Sequence, residues 1–119
     1  MTTTTRTPKG LGTAGRRLWR SILDDYELET HEQLTLLEAC RIADRLQDLT
    51  DAQAGAELTT TNSRGDTVAS PYLVEARQQQ VVFLRTLASL RLPQGDEGDE
   101  KRPQRRGAAR GAYGPRAVS

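Results

Sequence analysis

The sequence predicts an all-α fold: a short N-terminal helix, then a long antiparallel helical hairpin with a small β-hairpin-like loop between its two helices, flanked by disordered tails. Three observations predict it. Two long stretches, from residue 30 to 54 and from 71 to 90, carry apolar side chains at alternating three- and four-residue spacing. A Thr-rich insert with a turn cluster separates them. Both ends are built from Thr, Gly, Pro and charge, with almost nothing to bury.

Residues 1–12 read as a flexible basic arm, residues 13–93 as a helical oligomerisation domain, and residues 94–119 as a disordered tail, acidic then basic. The first helix is expected from about Ala14 to Tyr26, because Trp19, Ile22, Leu23 and Tyr26 fall on one stripe. The second opens at Thr30, where Thr30 as N-cap and Gln33 at N3 fit a capping box, with Glu32 at the positive end of the dipole. It runs to about Ala54, with Gly55 as its stop. Leu36, Ala39, Ala43 and Leu46 form its seam, and Leu34, Leu37, Ile42 and Leu49 widen the apolar surface beyond one stripe. Residues 56–69 break the helical period around the turn cluster Asn62-Ser63-Arg64-Gly65-Asp66. Ser70 as N-cap and Pro71 at N1 start the third helix. Its seam is Leu73, Ala76, Gln80, Phe83, Leu87 and Leu90, and Pro93 ends it.

Composition narrows the function. The chain has 119 residues and is 35% hydrophobic, enough for one modest core. No apolar run approaches the roughly 18 residues of a membrane span, and the Thr-rich, basic start has no apolar signal region. One cysteine, Cys40, rules out an intrachain disulfide, and one histidine, His31, beside it makes a zinc site improbable on composition. A formal charge of +1 conceals a segregation: the first 20 residues hold five bases and no acid, whereas residues 21–93 hold 12 acids and six bases. Basic ends around an acidic middle point to polyanion contacts through the tails, or simply to charged tails that keep a small protein soluble.

The motifs hold little catalytic chemistry. Gly10-Leu11-Gly12-Thr13-Ala14-Gly15 spells GxGxxG, but no buried strand precedes it and no βαβ unit follows, so it reads as a flexible lead-in rather than a nucleotide loop. Arg64-Gly65-Asp66 reads as turn chemistry. Glu38, Asp44, Asp48 and Asp51 have no histidine or metal-ligand partner at useful spacing, and Glu38 and Asp44 stand near Arg41 and Arg45 at pairing distance. No nucleophile–base constellation assembles, so no enzymatic site, metal or cofactor is expected. The basic clusters remain: Arg6, Lys9, Arg16, Arg17 and Arg20 at one end, Lys101, Arg102, Arg105, Arg106 and Arg110 at the other, with Arg116 and a stackable Tyr113. Arg and Gly interleaved with an aromatic suit sequence-tolerant contact to nucleic acid.

From Pro8 to Pro93 the chain resembles the small subunits of phage terminases, the DNA-packaging machines of tailed bacteriophages. The resemblance lies in Gly10-Leu11-Gly12 with Ala14-Gly15-Arg16-Arg17-Leu18-Trp19, in Leu36-Leu37-Glu38-Ala39-Cys40-Arg41 with Ala43-Asp44-Arg45, in Ser70-Pro71-Tyr72-Leu73 and Glu75-Ala76-Arg77-Gln78-Gln79, and in the closing Leu90-Arg91-Leu92-Pro93. It implies a non-catalytic subunit in the host bacterial cytoplasm that forms a homo-oligomeric ring, binds viral double-stranded DNA at the packaging site and engages the large subunit, which carries the ATPase and nuclease. Many small terminases begin with a helix-turn-helix; here one short helix precedes the hairpin, and no recognition helix is assigned.

Two expectations follow for assembly. Either sister copies cover the extra apolar surface, through Leu36, Ala39, Ala43, Leu46, Leu73, Phe83 and Leu87, or the first helix folds back and covers it. The alternative function is a small helical adaptor that binds another protein and no DNA, for which the acidic middle speaks.

Overall fold

The computed structural model describes residues 6–93. Helix α1 spans Thr13–Asp25, α2 Thr30–Ala54 and α3 Pro71–Ser89; strands β1 (Thr59–Thr61) and β2 (Thr67–Ala69) lie between α2 and α3. Both α1 and α3 pack against α2, which is thus the central helix.

The entry to α2 lies one residue earlier than expected. Glu29, in extended conformation, is the N-cap and Thr30 the first helical residue. Glu32 is therefore N3, and its carboxylate accepts from the Glu29 N–H at 2.7 Å. A carboxylate reaches that donor and also faces the positive end of the helix, which Gln33 could not match. The far end of α2 falls at Gly55 as read from the sequence, but Gly55 has φ −101° and uses no left-handed conformation. Gln53 organises this end instead. Its Nε2 donates to the carbonyls of Ala56 (3.2 Å) and Glu57 (3.0 Å), and its Oε1 accepts from the Ser70 hydroxyl (2.6 Å). Ser70 is buried and also accepts from the Tyr72 N–H as the N-cap of α3. One pair of side chains thereby joins the end of α2 to the start of α3.

The β1–β2 pair is antiparallel, with Thr60 opposite Val68, and all six strand residues are exposed. Its turn is closed by Asn62, whose Oδ1 accepts from the N–H groups of Arg64 and Asp66 at 2.9 Å each, and Gly65 takes φ +87°. The Arg64-Gly65-Asp66 tripeptide is the apex of that turn. Helix α3 stops at Ser89, ahead of Pro93; Arg91 adopts a left-handed φ of 52°. The Pro93 carbonyl then accepts from the Tyr26 hydroxyl at 2.7 Å, joining the end of α3 to the end of α1.

The core lies between α1, α2 and the end of α3. Leu11, Trp19, Leu36, Cys40 and Leu90 are its buried members, with Leu18, Ile22, Leu23, Leu28, Leu37, Leu87 and Leu92 against them. Leu11, expected in the flexible arm, is only 6% exposed; it plugs the core ahead of α1, so order begins before residue 13. Helix α1 does fold back on α2. This bears on the residues expected to meet sister copies. Leu36 and Ala39 have no surface left for a second copy. Ala43, Leu46, Leu73, Phe83 and Leu87 are half-buried along the seam that closes the hairpin within one chain. An amphipathic period identifies a face that needs covering, and here the chain covers that face itself.

Candidate nucleic-acid interface

The N-terminal basic cluster is carried by α1 and the segment leading to it. Helix α1 has no side-chain cap of its own, because its N-cap is Gly12. Asp44, on α2, supplies the missing acceptor: its carboxylate accepts from the Gly12 N–H at 2.6 Å and from the Gly15 N–H at 2.8 Å. A carboxylate on two of the first free N–H groups of a helix satisfies orphan donors and the positive dipole end together. The glycines make the approach possible. A Cβ on Gly15 would lie 2.6 Å from Asp44 Oδ2 and 2.8 Å from the Cys40 carbonyl oxygen; one on Gly12 would lie 2.9 Å from Asp44 Oδ1. Gly10 supplies a turn at φ +90°. The GxGxxG spelling, expected to be a flexible lead-in, is therefore an ordered clamp for an internal carboxylate.

Cys40, one turn before Asp44, is fully buried. Burial, and after it the Asp44 charge, push its thiol from 9.0 up to about 12. It stays protonated and unreactive at neutral pH.

The clamp fixes where the cations point. Arg6, Lys9, Arg16, Arg17 and Arg20 are all exposed. Arg16 turns one guanidinium nitrogen back to the Leu11 carbonyl, bracing the lead-in segment. The two ion pairs among the described residues are Arg41–Glu38 and Arg64–Asp66, so neither Arg17 nor Arg20 is tied to a carboxylate there. The charges of α1 also run against its dipole. Its first turn holds no acid, its last turn no base, and Asp24 and Asp25 stand at its C-terminus. Cations near a helix N-terminus are intrinsically unfavourable, and the Asp44 carboxylate on that end of α1 offsets Arg16 and Arg17. The second basic cluster, Lys101, Arg102, Arg105, Arg106 and Arg110, with Arg116 and Tyr113, lies outside the described residues.

His31 is exposed at the start of α2. Among the described residues, no group of three His, Cys, Asp or Glu side chains could hold a metal ion, and no helix is long and apolar enough to cross a membrane. The Asp44 clamp was missed in the sequence because Asp44 lies 29 and 32 residues from the N–H groups it accepts from. The available signal was the pair of glycines three apart at a helix start with no Ser, Thr, Asp or Asn cap.

No protein-family model, curated protein or solved structure matches the chain.

Proposed function

We propose that the protein is a non-catalytic, self-assembling DNA-binding subunit of the phage terminase small-subunit type, which binds double-stranded DNA through its basic segments and recruits the large packaging subunit. The observation that carries the DNA-binding part is the exposed cationic surface of α1, held in place by the Asp44 clamp and free of carboxylate partners at Arg17 and Arg20. Arginines on a rigid helix can track a phosphate backbone without base contacts, and repetition around an assembly would add many weak contacts. The resemblance from Pro8 to Pro93 supports the packaging role. The short α1 leaves no second helix to act as a recognition helix, so the reading is of phosphate contact rather than base readout.

Duplex binding measured by fluorescence anisotropy against salt concentration tests it. The full chain should bind at low salt and weaken steeply as salt rises. Arg17→Ala with Arg20→Ala should flatten the slope of log K against log salt by about 0.9 for each phosphate that the variant no longer neutralises. Absence of binding at low salt would overturn the DNA reading and leave the adaptor, whose acidic middle would repel a duplex. An unchanged slope in the double variant would place the phosphate-binding cations outside α1.

A further inference from the structure

We infer that the chain's own acidic run, Asp96, Glu97, Asp99 and Glu100, seats on the cationic face of α1 and is displaced when DNA binds there. The contact stands on charge and chain geometry. The competition with DNA rests on the proposed DNA reading and adds a regulation of that same site.

The face of α1 lacks an anion. Arg17 and Arg20 are exposed, and neither is in an ion pair among the described residues. Asp24 follows Arg20 by four residues, yet no ion pair joins the two. With the base ahead of the acid, that order is the weaker one on a helix. Arg16, Arg17 and Arg20 together occupy about 6 Å of helix rise. The other exposed arginines are less suited to a short acidic run. Arg41 and Arg64 are already paired with Glu38 and Asp66. Arg77 and Arg85 stand eight residues apart on α3, roughly 12 Å along its axis.

The chain leaves the described fold beside that face. The Tyr26 hydroxyl, at the C-cap of α1, donates to the Pro93 carbonyl at 2.7 Å. Leu92 packs against the core cluster that contains Trp19. The exit is thus at the C-terminal end of α1. Back along α1 from Tyr26, Arg20 is about 9 Å away and Arg16 about 15 Å. Forward from Pro93, an extended chain would carry Asp96 about 10 Å and Glu100 about 23 Å. The acids come within reach over the stretch where the arginines stand. They are also the first charges after Pro93, the bases beginning only at Lys101. Asp24 and Asp25, exposed at the exit, repel the run from the last turn of α1 and favour its passage to Arg20 and Arg17. One exposed ion pair contributes little. A short tether, however, gives an effective concentration in the millimolar range, so several weak pairs suffice to occupy the face.

Two measurements on the full chain test this. A nitroxide on Gly98→Cys reads the contact without DNA, and Cys40 stays unlabelled because it is buried. At low salt the label should broaden the amide signals of Arg16, Arg17 and Arg20 more than those of Arg77 and Arg85. The broadening should fade when Asp96→Asn, Glu97→Gln, Asp99→Asn and Glu100→Gln are added. Without the label, the same four changes should tighten duplex binding roughly 3- to 10-fold at low salt, the size expected when a tethered competitor is removed. That gain should be smaller in a chain that also carries Arg17→Ala and Arg20→Ala. Broadening that the four changes leave untouched would overturn the contact, whatever the DNA result. An equal gain with and without the two arginines would overturn the competition and make the acids a screen for the bases that follow them. A chain that binds no duplex, with or without the four changes, would overturn the DNA reading and the competition together, and the label would still report the contact separately.

Discussion

The α1 side of α2 and the outer side of α3 are built to opposite degrees of completion. Where α1 meets α2, Leu36 and Cys40 are buried in one cluster with Trp19, two helix N–H groups are clamped by Asp44, and glycines replace side chains so that backbones can approach. On α3, by contrast, no residue is buried, and most of the exposed large apolar side chains lie along it. The first region is finished within one chain. The second has the same apolar periodicity without a partner. Periodicity therefore measures how much surface asks for cover, and only the packing says where cover is already supplied.

The largest expected effect comes from breaking the finished side. Trp19→Ala should cost about 3–5 kcal/mol in urea unfolding and Leu36→Ala about 2–5 kcal/mol, because each empties space in a closed core. Leu84→Ala, on the unfinished side, should change dilute-solution stability by no more than about 0.5 kcal/mol. If its cost grows with protein concentration, association covers Leu84; a cost equal to that of Leu36→Ala at high dilution would refute the contrast.

Next is the clamp. Gly15→Ala forces a methyl against the Cys40 carbonyl and should cost about 1–3 kcal/mol. Asp44→Ala leaves two N–H groups without their acceptor and should cost about 2–3 kcal/mol. Both should loosen α1 while the hairpin persists, which amide exchange resolved by segment would reveal as faster exchange confined to α1. Loss of protection spread evenly over α1 and α3 would mean the clamp is not local.

Cys40 offers a smaller effect on the same side. With the folded thiol at about 12 and the unfolded thiol near 9.0, both states hold the proton below pH 9 and the contribution is full. Between pH 9 and 12 only the unfolded thiol ionises, so stability falls as pH rises, by at most about 1.4 kcal/mol per pH unit. Cys40→Ala should remove that extra slope from denaturation midpoints measured across pH 8–11. A disulfide reagent at pH 8 should label Cys40 only at the rate of local opening, and faster in Gly15→Ala.

The smallest effect is on the helix that carries the cations. Arg17→Ala and Arg20→Ala should leave stability within about 0.5 kcal/mol, because both side chains are exposed and neither is in an ion pair among the described residues. Their effect should appear in salt-dependent DNA binding instead; a marked loss of stability would make them structural residues.

Much of this architecture was legible residue by residue. Ser70 and Pro71 announced α3, the cluster around Asn62 and Gly65 announced the turn, and the stripe through Trp19 announced α1, because capping, turn geometry and helical period all act within a few positions of the chain. The box at the start of α2 slipped by one residue because Glu29 can perform the task assigned to Thr30, and single-residue competition between caps leaves little trace in composition.

By itself, the sequence determined the kinds of element, their order, and the separation of an acidic middle from basic ends. The tertiary structure alone decided that the glycine-rich lead-in grips Asp44, that Leu36 and Ala39 belong to the interior of one chain, and that the uncovered surface is the far side of α3. The reason is physical. Local signals depend on neighbours along the chain, whereas a partner some 30 residues away, or a choice between two equally apolar faces, is settled only when the helices come together.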